Sequence, residues 1–274
     1  MWTLVRLTLR EMLNKKVLFL GLALTVVYLG LYGFGLYYMG KDLKNLPEVF
    51  RLRLAADMLC TGLYISGMMV AGLTIFTSVG AISTEIENGV MQGLAAKPVA
   101  RRDIFLGKLV GLGLILVAYS LLVFLVINFM TQFFLGLEVG HYLFSLGLFC
   151  LQPLVILAVT MWGSSFLSTL GNGIVVFMLY SISVVGGITE QIGSLVNSSL
   201  VTVGIVTSLL MPVDAMYRLV NFSLVHGGDQ SLNILSFNPF STQTPPSVWM
   251  IVYTGIYFLF FIWLGNLVFT RRDI

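Results

Sequence analysis

Charge is scarce in this sequence, and its scarcity excludes an ordinary soluble protein. Only 10% of the 274 residues are Asp, Glu, Lys or Arg, whereas 58% are hydrophobic, and the mean hydropathy is +0.96. Soluble domains carry about 25% charged residues. Because this chain could not cover its own surface with polar groups, lipid must cover part of it. The composition therefore predicts an integral membrane protein.

Residues that commonly carry chemistry are also few. Cys60 and Cys150 lie in apolar blocks, without a CxxC motif or Cys/His spacing that would indicate a disulfide framework or a metal site. His141 and His226 fall in separate predicted loops. No G-x-x-x-x-G-K-[ST] motif supplies a phosphate-binding loop. We therefore expect neither an enzyme nor a cofactor or metal site in this chain.

The apolar blocks themselves hold almost no charge. Ion-coupled carriers place Asp, Glu, Arg or His inside the membrane, and here only Glu190 comes near a block, close to its end. The net charge of +3 comes from basic residues beside apolar blocks, a pattern typical of membrane orientation and not of nucleic-acid binding. If the chain moves a substrate, we expect the energy to come from another subunit.

Six predominantly apolar stretches are long enough to cross a bilayer, which takes about 20 residues. They cover residues 17–39, 59–82, 109–134, 142–162, 174–192 and 248–269. The stretch 195–211 is shorter, so that it either spans the membrane or dips partway in and returns. The predicted fold is all-α: one permease domain over 1–274, with six spans, an interfacial helix over 1–16 and an extracytoplasmic helical segment within 193–247.

Lysine and arginine favour one orientation for these spans. With six spans and both termini in the cytoplasm, ten basic residues face the cytoplasm and five face outward, whereas seven spans give nine against six. We therefore predict a cell inner or plasma membrane protein with both termini inside. The lysines and arginines on the cytoplasmic side, apart from Lys97, are expected to anchor at lipid headgroups. They are Arg6, Arg10, Lys15, Lys16, Arg101, Arg102, Lys108, Arg271 and Arg272.

The first residues have the spacing of an amphipathic helix. One predicted face is apolar and the opposite face carries Arg6 and Arg10; the apolar positions are Trp2, Val5, Leu9 and Met12. Such a helix is suited to the headgroup layer, although a helical segment outside the membrane has the same pattern. The apolar block that follows is too long for the core of a cleavable signal peptide.

The longest polar stretch between two spans covers residues 83–108. A helix is predicted to begin near Ser83 or Thr84, with Glu85 and Glu87 in the first turn, where negative charge is favourable. Pro98 is expected to end this helix. A short helix that continues a membrane span could transmit force from a soluble partner. The alternative is a solvated tether whose charges only set the orientation.

The stretch 83–108 resembles the cytoplasmic loop of type 2 ATP-binding-cassette (ABC) exporter permeases. The matching residues are Glu85, Glu87, Gly89, Leu94, Pro98, Arg101, Ile104 and Lys108. Met-Gln-Gly at 91–93 departs from the more apolar, Thr-led run usual there, whereas Arg-Arg-Asp at 271–273 resembles the basic end of the family. The segment 211–218 and Asn221 look like the outer segment of six-span members, including the permease of the nitrous-oxide-reductase maturation system.

This resemblance implies the membrane subunit of an exporter. ATP and Mg would be bound by separate ABC ATPase subunits, two of which are expected, and a second copy or a sister permease would complete the path. An extracytoplasmic accessory protein is compatible with this assembly. The implied ATPase contacts are Ser83, Thr84, Glu85, Ile86, Glu87, Asn88, Gly89 and Leu94, and the implied outer-segment residues are Pro212, Asp214, Tyr217 and Arg218.

Two other hypotheses stay open. A membrane scaffold would anchor or regulate a partner without transport, and an ion-coupled carrier would need no nucleotide. The aromatic, apolar spans do not identify a substrate.

Overall fold

The computed structural model describes residues 2–43, 47–89, 100–137, 139–196, 198–225 and 246–272. Within these ranges the regular elements are all helices, which confirms the predicted all-α class. They are α1 (Trp2–Leu13), α2 (Lys16–Asp42), α3 (Glu48–Ser78), α4 (Ser83–Glu87), α5 (Arg101–Leu135), α6 (Tyr142–Ser164), α7 (Thr169–Val196), α8 (Ser198–Leu210), α9 (Val213–Val225) and α10 (Trp249–Arg271).

Six of the described helices are long and apolar enough to cross a membrane: α2, α3, α5, α6, α7 and α10. This confirms the six predicted spans. The loop expected between the first two spans is shorter than predicted, because α2 continues to Asp42 and α3 begins at Glu48. Pro47 stands directly before α3, where a proline suits the start of a helix. At 31 residues, α3 is about 47 Å long and extends beyond a hydrocarbon core of about 30 Å.

The stretch 195–211 enters the bundle and turns back. Helix α8 has 13 residues, which gives about 20 Å and is too short to span. It packs closely on α7, because a Cβ at Gly204 would lie 2.8 Å from the carbonyl oxygen of Gly186. A bend of 108° separates α8 from α9, and the Leu224 carbonyl accepts a hydrogen bond (3.0 Å) from the amide of Gly140, just before α6. The two helices form a re-entrant pair.

These contacts define two faces of the bundle. The α4 face holds α4, the link 165–168 between α6 and α7, and Arg272 at the end of α10. The α9 face is the opposite one, where Gly140 meets Leu224. Helix α6 lies at the centre, since it packs against α3, α5, α7, α9 and α10. Eleven of the 13 residues of α9 are buried, so the predicted outer segment enters the protein interior.

Helix α1 packs against α5 through Val5, Thr8 and Met12, whereas Trp2 is 75% exposed. The close approach depends on Gly111 of α5. A Cβ at this position would lie 2.8 Å from the Cβ of Thr8 and 3.2 Å from the carbonyl oxygen of Val5. One face of α1 is therefore held by the bundle and the other is free to meet lipid headgroups.

Replacing Gly111 with alanine is expected to displace α1 and to lower the free energy of unfolding by about 1–3 kcal/mol. Thermal unfolding of the purified protein in detergent measures the change. Gly72→Ala is the matched control, because a Cβ at Gly72 of α3 meets nothing within 4 Å. Equal unfolding temperatures for the two variants would show that α1 does not depend on this contact.

Candidate functional site

Helix α4 occupies the position predicted for a helix after the second span. It begins at Ser83, with Glu85 in its first turn, and ends at Glu87. Gly89 has φ +71°, a left-handed conformation that glycine adopts without strain and that ends helices. This helix therefore stops well before Pro98, where its end was expected. Pro98 and Leu94 lie outside the described residues.

The residues of α4 divide into an inner and an outer edge. Ser83 is buried, and Glu85 and Ile86 are half-buried. The exposed residues of this segment are Thr84, Glu87, Asn88 and Gly89. Only the outer edge is thus available to a partner, and the inner edge is used in contacts within the chain.

Ser83 joins α4 to the junction of α6 and α7. The backbone amides of Ile82 and Ser83 both donate to the Oγ of Ser164, at 3.1 and 3.0 Å. The hydroxyl groups of Ser83 and Thr169 are 2.8 Å apart. Asn172 strengthens the same junction, because its Nδ2 donates to the carbonyl of Val79 at 3.0 Å. No role was predicted for this part of the chain, which lies between the predicted spans 142–162 and 174–192.

Glu87 caps the first turn of α7. Its Oε1 accepts a hydrogen bond from the amide of Thr169 at 3.1 Å, and its Oε2 accepts one from the Thr169 hydroxyl at 3.2 Å. A carboxylate at this end of a helix is favoured by the helix dipole and satisfies a free backbone N–H group. Glu87 therefore both holds α7 and forms part of the outer edge of α4.

Lys108 connects α4 to α5. Its Nζ donates to the carbonyl of Ala81 at 2.6 Å and forms an ion pair with Glu85. Lys108 is only 9% exposed. Lys108 therefore does not reach the lipid headgroups as predicted. It is buried because it lies two turns inside α5 on the side that faces α3.

The other residues predicted to anchor at lipid headgroups are either bonded within the chain or exposed. Arg101 donates to the carbonyl of Arg272 at 2.5 Å, and Arg272 donates to the carbonyl of Ser165 at 2.7 Å, so these two arginines tie α5 and α10 to the 165–168 link. Lys15 is half-buried and pairs with Glu11 at 3.0 Å. The exposed members are Arg6, Arg10, Lys16, Arg102 and Arg271, and headgroup contact stays a prediction for them.

A second polar cluster is buried near the α9 face. The Nη2 of Arg218 lies 2.7 Å from Glu190 Oε2. The Nε of Arg218 lies 3.2 Å from Asp214 Oδ2, an ion-pair contact without hydrogen-bond alignment. Arg218 is 1% exposed. We call Glu190, Asp214 and Arg218 the ion trio.

The neighbouring residues of the predicted outer segment are also buried. Tyr217 donates its hydroxyl to the carbonyl of Cys60 at 2.5 Å, and Pro212 lies at the bend between α8 and α9. Arg218 was predicted to lie in an extracytoplasmic helical segment, and its pairing with Glu190 was not predicted. A signal was present, because Arg218 is the only lysine or arginine between Lys108 and Arg271, and a lone basic residue among apolar blocks needs acidic partners.

Comparison with known proteins agrees with these features. The family model for ABC-2 family transporter proteins matches residues 2–274. No curated protein matches the sequence. The likeness to the nitrous-oxide-reductase maturation permease stays a prediction. The chain belongs to the ABC-2 family of transporter proteins and is a multi-pass membrane permease component.

Proposed function

We propose that this chain is the membrane subunit of an ABC exporter, driven by separate ATPase subunits that bind the outer edge of α4. The observation that carries the proposal is that α4 is exposed on one edge and bonded to the bundle: Thr84, Glu87 and Asn88 are exposed, while Ser83, Glu85 and Glu87 itself bond to other helices. The ATPase subunits hold ATP and Mg, and this chain supplies the path through the membrane.

Force on α4 has a defined route into the bundle. The pair of Lys108 with Glu85 leads to α5, and the bonds of Glu87 to Thr169 lead to α7. The segment that precedes α4 continues directly from α3. A displacement of α4 therefore acts on three spanning helices together. Such bonds to the spanning helices are not expected for a solvated tether.

The orientation follows from charge. Five exposed basic residues, Arg6, Arg10, Lys16, Arg102 and Arg271, belong to segments at the α4 face, whereas Lys41 is exposed at the opposite end of α2. This excess supports a cytoplasmic location for the α4 face. Arg218 is buried and so no longer counts among the outward-facing basic residues. Export, as distinct from import, rests on the resemblance of the stretch 83–108.

A second protomer completes the path in this proposal. Helix α2 packs only against α3 and α5 among its principal neighbours, and it exposes Phe19, Leu24, Leu31 and Phe34. Helix α10 likewise exposes Ile256. Six spans are few for a closed path, and a two-fold pair, of this chain or with a sister permease, is the common solution. Lipid covers whatever part of these faces the pair leaves free.

Photo-crosslinking in cells tests the ATPase contact. A benzoylphenylalanine at Asn88 is expected to form an adduct with a polypeptide that contains a G-x-x-x-x-G-K-[ST] motif. The matched control is Thr3, which is exposed on α1 and lies at the same face away from α4. The proposal fails if no such ATPase is captured at Asn88, or if a cysteine at Asn88 reacts with an impermeant reagent from outside intact cells.

The rate of ATP hydrolysis distinguishes an exporter from a membrane scaffold. Purified ATPase bound to this chain in lipid vesicles should hydrolyse ATP at a rate that changes when a transported solute is added. An ATPase that binds but never responds to any solute would favour the scaffold.

A further inference from the structure

A groove of about 650 Å³ lies on the exposed side of α5 near the α9 face. Its volume is in the range of small-molecule sites, roughly 300–1,000 Å³. None of the residues that line it carries a charge, and most are apolar or aromatic; they include Leu125, Phe129, Met130, Phe133, Phe134 and Tyr142. The groove is therefore suited to an apolar occupant.

The groove has the depth of one lipid leaflet. Its lining on α5 covers residues 125–134, which is about 14 Å of helix. One leaflet contributes half of a hydrocarbon core that is about 30 Å thick. Because α5 ends at Leu135, just before Gly140 meets Leu224, the groove lies at the level of the acyl chains on the α9 side.

Neighbouring helices hold the sides of the groove. Phe129 and Phe133 stack with their ring centroids 6.1 Å apart and are 67% and 73% exposed. On one side Met130 packs against α2, because a Cβ at Gly33 would lie 3.3 Å from the Met130 Cε. Tyr142 of α6 lines the other side. The groove is thus shaped by α2, α5 and α6 together.

A cation stands beside the end of the groove at Phe134. The Nζ of Lys41 lies 4.5 Å from the ring centroid of Tyr37, and the Tyr37 and Phe134 centroids are 6.3 Å apart. Lys41 is exposed, and in the part of the chain that the structure describes no ion pair includes it. Asp42 follows it, but successive side chains of a helix do not face each other. Lys41 therefore offers its ammonium group to an external anion.

We propose that this groove binds one acyl chain of a phospholipid in the leaflet at the α9 face, with the lipid phosphate paired to Lys41. The phosphate oxygens accept charge-assisted hydrogen bonds from Nζ, and the chain lies against Phe129 and Phe133. Such a lipid joins α2, which supplies the cation, to α5 and α6, which supply the groove. Binding needs no ATPase subunit, so the inference stands independently of the proposed exporter function.

A photoactivatable phosphatidylglycerol with a diazirine on one acyl chain tests the site. It is added to the delipidated full chain in dodecylmaltoside, and mass spectrometry of chymotryptic peptides locates the adducts. We expect adducts within residues 125–142. Unlabelled dioleoylphosphatidylglycerol should displace them about five-fold more effectively than dioleoylglycerol, which lacks the phosphate, and glycerol 3-phosphate, which lacks the chains, should not displace them. Equal displacement by dioleoylglycerol, or none by dioleoylphosphatidylglycerol, would overturn the proposal.

Two lysine variants at opposite ends of α2 locate the phosphate. Lys41→Gln is expected to lower the yield of adducts within 125–142 about five-fold, the effect of one lysine at a lipid surface. Lys16→Gln is the matched control, because Lys16 is exposed at the other end of α2, and should leave these adducts unchanged. Equal yields in the two variants would refute the pairing with Lys41. Absence of adducts from this range would mean that another occupant, such as a second copy of the chain, covers the groove, and would overturn the proposal.

Discussion

Replacing Arg218 with methionine is expected to lower the free energy of unfolding by about 3–5 kcal/mol. The substitution leaves Glu190 and Asp214 without the guanidinium that both contact. Asp214 is 4% exposed, so its carboxylate cannot recover the lost interaction from water. The apparent unfolding temperature in detergent and the yield of monodisperse protein both measure the loss.

The neutral triple variant distinguishes lost pairing from lost packing. Glu190→Gln, Asp214→Asn and Arg218→Met together remove every charge of the trio, and most of the stability should return because no buried charge is left unpaired. Arg102→Met changes an exposed arginine and should have little effect. If Arg218→Met alone unfolds at the temperature of the natural sequence, the ion trio does not stabilise the α8–α9 pair.

The second large effect is expected at Lys108. Lys108→Met removes both the ion pair with Glu85 and the hydrogen bond to the carbonyl of Ala81, which frees the inner edge of α4 from α5. In the proposed exporter, solute-dependent ATP hydrolysis by the assembled complex should fall roughly ten-fold, within the usual range of coupling between sites. Hydrolysis is measured in lipid vesicles at equal amounts of bound ATPase.

Lys108→Arg keeps the charge and the donors, and should retain most of the coupling. Binding of the ATPase itself should survive in Lys108→Met, because the outer edge of α4 is unchanged. Full solute-dependent hydrolysis in Lys108→Met would mean that the pair with Glu85 does not transmit force, even if the ATPase contact is real.

Apolar length alone was enough to locate the six spans, since α2, α5 and α7 each contain the corresponding predicted stretch. It was not enough for α8, whose residues are as apolar as those of a span. Helix α8 does not span the membrane because it is short, because it packs closely on α7 at Gly204 and because the chain bends at Pro212. The close packing and the bend depend on how α7, α8 and α9 are arranged in the fold, so the sequence alone does not predict them.

Contacts between distant parts of the chain were beyond sequence analysis. Glu87 and Thr169 are separated by 82 positions, and no local pattern links them. The burial of Lys108 was more accessible, because Ile104, Lys108 and Leu112 recur at helical spacing on the buried side of α5. Because Arg101 and Arg102 lie nearby, Lys108 was grouped with them as a headgroup anchor, and its helical spacing with Ile104 and Leu112 was not used.

Helix α7 has a mechanical consequence for the α9 face. Its first residue, Thr169, is bonded to Glu87, and Glu190, six residues before its last, is bonded to Arg218. An uninterrupted helix of 28 residues measures about 42 Å and acts as one stiff element. A displacement imposed at the Glu87 end is therefore carried along α7 to Glu190, where it moves the partner of Arg218 on α9.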